Sequence, residues 1–207
     1  MALGTVHRAL HALQAEGLTE HRKGAGVYVR ATTPVARHSP QRLSRQQWGR
    51  GRPIWDADLP DTNYQVDQIH ISEEPAPADI AVPLGVEPGE PTLVRRRRYS
   101  VEGRPVQLAT SYLPAALVAG TPITWPDTGP GGIYARLAEI GHAPVRFIEE
   151  VCARMPLPEE TKALDLPAAT PVIRVVRTAV SEEGRTVEVN DMTLDAFAYV
   201  LTYEIDA

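Results

Sequence analysis

The chain has 207 residues, and its 43 % hydrophobic and 23 % charged content is enough for a packed domain of ordinary size beside a smaller one. A single cysteine, Cys152, excludes an internal disulfide framework and a multi-cysteine zinc site, and fits a reducing cytoplasm. No apolar run approaches the roughly 20 residues that span a bilayer and no signal-peptide pattern opens the chain, so a soluble, unprocessed protein with no membrane partner is expected. The formal net charge of −5 is unevenly spread. Up to Arg52, nine basic residues face two acidic ones; beyond it, 12 basic residues face 24 acidic ones. A basic front of this kind suits a polyanion, and an acidic body suits a different task.

In chain order, Val6, Ala9, Leu10 and Leu13 recur at spacings of three and four and predict one face of a short helix from Thr5 to Glu16, with Thr5 as its N-cap. Gly17 is placed to turn left-handed after the helix, and Leu18 to fold back onto its last turn. His21 to Val29 sets a basic, glycine-rich tip between two short segments able to form strands, which predicts a hairpin. Helix and hairpin together make half of a winged helix.

Between Ala31 and Asn63 no period is sustained, and Pro34, Pro40, Pro53, Pro60, Gly49 and Gly51 interrupt every candidate element, so this stretch is expected to be a linker. Its arginines, Arg37, Arg42, Arg45, Arg50 and Arg52, are expected to keep it solvated or to graze phosphates. Trp48 and Trp55 are expected to bury, with Trp48 to Arg52 folding back over the body.

The body contains a repeat. Leu84 to Arg97 aligns with Leu164 to Arg177 at an offset of 80 residues, and the match resumes one residue later with Glu102 to Leu108 against Glu183 to Val189. Each copy reads as a short helix, a turn and two strands joined by a Glu-Gly hairpin. Val66 to Ser72 and Val145 to Ala153 read as the opening strand of each copy. Ile133, Leu137 and Ile140 mark a helix between the copies, and Tyr199 to Ile205 a last strand. Two such copies are expected to join in one antiparallel sheet with helices on one side and a pocket at the shared centre.

Four successive arginines, Arg95 to Arg98, lie on a predicted strand, so Arg95 and Arg97 take one face and Arg96 and Arg98 the other. Ordinary cross-strand pairing, for example of Arg97 with Glu188, is the plain alternative to a binding role. Gly129-Pro130-Gly131-Gly132 precedes a predicted helix and could offer backbone amides to an anion, or simply be a loop.

Gly4 to Leu18, followed by Arg22 to Val29, resembles the recognition helix and wing of GntR-family bacterial transcription regulators. Leu84 to Arg98, Thr110 to Pro114 and Leu164 to Glu188 resemble the effector-binding UTRA domain of that family's HutC subfamily. The resemblance implies an α+β chain: a partial winged helix-turn-helix over residues 1–30, a linker over 31–63 and an antiparallel-sheet domain similar to chorismate lyase over 64–207. It implies DNA contacts from Thr5, His7 and Arg8 on the helix and Arg22, Lys23, Gly24 and Gly26 on the wing. For the effector it implies Arg97 and Glu188, with Arg177 as the repeat mate of Arg97. Arg95, Tyr99, Gln107, Ala109 and Asn190 complete the set. Tyr99 and Ala109 depart from positions where relatives carry an arginine and an acid. The implied partners are operator DNA, a small-molecule metabolite and a second copy of the chain, in a cytoplasmic repressor. Two further helices precede this one in the family, so the resemblance also implies a shortened DNA-reading domain, and a ligand-binding, dimerising module without effective DNA binding is the rival. A lyase-like enzyme is the other rival. Against it, the sequence offers no nucleophile elbow, metal-ligand cluster or acid-base pair, His70 and His142 stand alone, and no catalytic residue, metal or cofactor is expected.

Overall fold

The structure, a computed structural model, describes residues 3–22, 24–29, 34–38, 42–51, 54 and 64–204. Lys23, Arg52 and Trp55 lie outside the described residues, as does Ile205. Helix α1 (Leu3–Ala15) starts two residues ahead of Thr5, so Thr5 sits in its first turn rather than capping it. The helix stops where expected. Gly17 takes φ 73°, its N–H donates to the Gln14 carbonyl at 3.0 Å, and the Leu18 N–H donates to the Leu13 carbonyl at 2.9 Å. Strands β1 (Thr19–Arg22) and β2 (Gly26–Val29) form the antiparallel hairpin, with Gly24 and Gly26 left-handed at its tip. A Cβ on Gly17 would come within 3.2 Å of the Phe197 ring, so the turn after α1 rests against the body.

Among its described residues, the stretch expected to lack elements contains a strand and a helix. Strand β3 (Val35–His38) pairs in parallel with β10 (Tyr199–Thr202), and helix α2 (Arg45–Trp48) follows. The partner of β3 lies more than a hundred residues away, so no local period announces it. Its alternation is nevertheless strict: Val35 and Arg37 are buried, Ala36 and His38 exposed. Arg37 and Arg42 are fully buried, against the expectation that the linker arginines stay in water; Arg45 and Arg50 are exposed. Trp48 is buried as anticipated, and its indole N–H donates to the Leu43 carbonyl at 3.1 Å.

The main sheet has six antiparallel strands in the order β4-β5-β6-β9-β8-β7. The first copy supplies β4 (Tyr64–Pro75), α3 (Ala78–Leu84), β5 (Pro91–Val101) and β6 (Arg104–Pro114). Helices α4 (Ala115–Val118) and α5 (Gly132–Glu139), with a 3-10 turn over Pro122–Thr124, join it to the second copy. That copy supplies β7 (Pro144–Arg154), α6 (Pro158–Ala163), β8 (Val172–Ser181) and β9 (Thr186–Asp195). The copies meet at β6 and β9, so the strand order reads the same from either edge. Left-handed backbone repeats with the sequence: Gly85 (φ 71°) and Gly89 (φ 86°) match Asp165 (φ 48°) and Ala169 (φ 58°).

Helices cover both faces of the sheet, not one. Ile80 and Leu84 of α3 pack on Val189, Tyr112 and Val176, and Leu164 beside α6 packs near Leu108. On the opposite face, Val118 of α4 and Ile133, Tyr134 and Leu137 of α5 join Leu93, Leu113 and Ala179, with Leu43 and Trp48 completing the cluster. The crossover helix within each copy takes one face, and the connection between copies takes the other.

Candidate effector-binding site

Successive residues of a strand point to opposite faces, and residues paired across strands share one. The register therefore sets two rows of side chains on the α5 face. One runs Ile71, Arg95, Ser111, Asn190, Arg177, Glu149 from edge to edge; the next runs Ile69, Arg97, Ala109, Met192, Val175, Val151. Between this face and the loop ahead of α5 lies a cavity of about 580 Å³. Of the expected effector residues, Arg95, Arg97, Tyr99, Glu188 and Asn190 line it, and Gln107, Ala109 and Arg177 do not. Ala109 packs in the apolar cluster of Tyr99, Val175 and Met192. Gln107 is fully buried, and neither amide atom finds a partner among the described residues.

The two cavity arginines behave differently. Arg95 is buried and donates to loop carbonyls: to Ile123, to Trp125 at 2.6 Å and to Pro126 at 3.1 Å. Burial, and then the neighbouring Arg97 cation, pull its pKa down to about 10. Arg97 donates to the Ser111 hydroxyl, and its guanidinium carbon stands 5.8 Å from the Tyr99 ring centroid. It does not pair with Glu188. Tyr99 stacks on Tyr64 at 5.4 Å, which makes an aromatic wall beside the cations. Oε2 of Glu188 and Oδ1 of Asn190 are buried acceptors with no partner among the described residues.

Arg177 shows what Arg97 lacks. It is fully buried, and its Nε donates to Glu149 at 2.9 Å. Its pKa is raised: burial alone would lower it, but Tyr134 and Glu149 outweigh that. Glu149 faces Arg177 across β7 and β8, and the equivalent place opposite Arg97 is held by Ile69. The repeat therefore supplies a counter-ion in one copy and an aliphatic side chain in the other.

The loop Gly129 to Gly132 borders the cavity, but the Gly129 N–H donates to Asp127 at 2.8 Å and the Gly132 N–H to the Gly129 carbonyl at 3.1 Å, so two of its amides are spent within the loop. Gly131 is required by close approach: at φ 80°, a Cβ would lie 2.5 Å from the Trp48 carbonyl oxygen. Sequence reading missed Tyr64, Ile69 and Tyr134 as lining residues. Ile69 alone carried a signal, its place in the repeat opposite Arg97.

At the front, Thr5, His7 and Arg8 are exposed on α1, and α1 carries no buried residue. Gly24 and Gly26 at the wing tip have nothing within 4 Å of a hypothetical Cβ. Arg22 ends β1, and Lys23 lies outside the described residues. No helix among the described residues is long and apolar enough to cross a membrane.

The UTRA domain family matches residues 61–199. SCO4628 of Streptomyces coelicolor, an uncharacterized HTH-type transcriptional regulator, is 32 % identical over 192 residues, which cover 89 % of this chain and 71 % of that protein. The HTH-type transcriptional regulator GgaR of Escherichia coli K12 is 26 % identical over 204 residues, 97 % of this chain and 75 % of GgaR. Among solved structures, a protein assigned to the GntR-family transcriptional regulators superposes with a TM-score of 0.72 at 27 % identity, covering all of this chain and 83 % of that one. PhnF from Mycobacterium smegmatis shares the fold, with a TM-score of 0.68 at 22 % identity, covering all of this chain and 86 % of PhnF. These relatives are regulators rather than enzymes, and the chain belongs to the UTRA domain family of transcriptional regulators.

Proposed function

We propose that the chain is a repressor whose grip on operator DNA is set by a small anionic metabolite held in the cavity beside Arg97. The observation that carries this reading is the pair Arg95 and Arg97, neighbours on one face, neither paired with a carboxylate among the described residues. Two adjacent guanidiniums without an anion are costly, and a carboxylate or phosphate between them would relieve the repulsion and gain charge-assisted hydrogen bonds. Arg95 is committed to the loop carbonyls, so Arg97 is the contact residue. Glu188 and Asn190 would accept from a ligand hydroxyl or amine, and Tyr99 would cover an apolar face. Gln107, Ala109 and Arg177 would act from behind this layer.

On the DNA side, Thr5, His7 and Arg8 would enter the major groove, with Arg22, Lys23, Gly24 and Gly26 along the backbone as the wing. A homodimer of the HutC type fits the edge strand β7, which exposes Ile148 and Val151. The test is calorimetry with a panel of carboxylates and phosphate esters on the wild type and Arg97→Ala. A hit should lose tenfold or more in affinity, roughly the worth of one charged hydrogen bond. Unchanged affinity would overturn the site. Gel shifts with DNA flanking the chain's own gene, with and without that hit, test the regulatory half. The second reading, a ligand-binding module without effective DNA binding, is favoured by the absence of any buried residue on α1. It predicts ligand binding with no shift.

A further inference from the structure

We infer that the effector is a zwitterion, carrying an ammonium group as well as the anion bound by Arg97, an inference that rests on the effector reading of the cavity. Among the described residues, the charged side chains lining it are Arg95, Arg97, Asp127 and Glu188. Two of these are committed to the protein itself. Arg95 donates to the carbonyls of Ile123, Trp125 and Pro126, and Asp127 accepts from the Gly129 N–H. The other two have opposite signs and open valences. Arg97 donates to the Ser111 hydroxyl and keeps a buried Nε without a partner, and Oε2 of Glu188, a residue only 1 % exposed, is a buried acceptor with none. A buried carboxylate oxygen left unpaired is costly, and a cation is the group that relieves it best.

Asn190 narrows the kind of donor. It lies two residues along β9 from Glu188, on the same face, and its buried Oδ1 also lacks a partner. A hydroxyl brings one proton and leaves one of these acceptors unpaired, whereas an ammonium brings three and serves both. Ser111, which accepts from Arg97, pairs with Asn190 across β6 and β9, one strand spacing or about 5 Å away, so a short ligand reaches both ends. The two ends come from different copies of the repeat. Arg97 belongs to the first, and Glu188 and Asn190 to the second, where the alignment sets them against Gln107 and Ala109. Gln107 is uncharged, Ala109 has no acceptor, and neither lines the cavity, so the second copy alone supplies the ammonium subsite.

Matched acids isolate the head group. β-Alanine and γ-aminobutyrate carry the amine, β-hydroxypropionate and γ-hydroxybutyrate the hydroxyl, β,γ-dihydroxybutyrate a diol, and propionate and butyrate none of these. In NMR titrations of the wild-type chain, the amines should bind roughly tenfold or more tightly than their hydroxyl and alkyl counterparts. Glu188→Gln should erase that preference while leaving the alkyl acids unchanged. Asn190→Asp, which sets a second carboxylate beside the first, should widen it, and carries the test alone should Glu188→Gln fold poorly. Amines that bind no better than the hydroxyl acids or the diol, or no binding by either amine, overturn the zwitterion. The effector reading is scored separately by Arg97→Ala: it stands if that change abolishes binding of the acids whatever their head group, and acids that bind regardless of Arg97 overturn both.

Discussion

Thr110 and Asp191 face each other across β6 and β9, and they are the same position in the two copies of the repeat. The pseudo-twofold axis of the sheet passes between them. Departures from that symmetry are where the two halves differ in use. One lies at Ile69 and Glu149, which oppose the equivalent arginines Arg97 and Arg177.

Ile69→Glu would restore the symmetry. Ile69 is 40 % exposed and borders the cavity, so a carboxylate is tolerated there and reaches Arg97, whose Cβ lies about 5 Å away across the strands. Affinity for an anionic ligand should fall at least about tenfold with little change in the unfolding midpoint. Calorimetry alongside urea denaturation checks both halves of this expectation.

Removal of Glu149 should be far more damaging. Glu149→Ala leaves Arg37 and Arg177 buried together, and breaking a buried ion pair from one side costs about 3–5 kcal/mol. Double substitution to Glu149→Leu and Arg37→Met should recover part of that loss, because one of the two buried cations that Glu149 balances goes with it. Equilibrium urea unfolding of the three chains measures it.

The left-handed positions offer a stabilising change. Ala169 holds φ 58° where the first copy has Gly89, and a side chain in that region costs about 1 kcal/mol or more. Ala169→Gly should gain about 0.5–1 kcal/mol, and Asp165→Gly less, since aspartate tolerates the conformation. Gly85→Ala and Gly89→Ala should lose a similar amount through backbone strain alone, since a Cβ at either position meets nothing within 4 Å. Thermal melts of the four variants test the pairing.

Acid should weaken the fold through carboxylates held ionised. The Arg96 guanidinium, and then the Ser72 hydroxyl, bring Glu74 down from 4.5 to about 2, and Arg98 similarly lowers Asp67. Folded values below unfolded ones mean the contribution is complete above pH 4.5 and drains away as pH falls toward 2. Urea midpoints measured down this range should decline, and Arg96→Met should flatten the decline.

The repeat, the antiparallel pairing and the face shared by Arg95 and Arg97 were all legible in the sequence, because each rests on a local period or an internal match. The parallel pairing of Val35 to His38 with Tyr199 to Thr202 was not, since neither strand carries a mark of the other. Arg37 and Arg42 were misjudged for a related reason. An arginine in a proline-broken stretch looks solvated until a distant carboxylate such as Glu149 is brought beside it. Gln107 and Ala109 share the face of Arg97, but the cavity ends before it reaches them, and alternation along a strand says nothing about where a roof of loop and helix stops. Helices on both faces followed from the connection between the copies, which the repeat itself does not describe.

A molecule built by doubling one unit has, by symmetry, two equivalent places for a ligand. Here Glu149 already fills the second with a side chain of the protein's own, so the inner arginine of that half is permanently satisfied. Titration should therefore saturate at one effector per chain, and a dimer should count two.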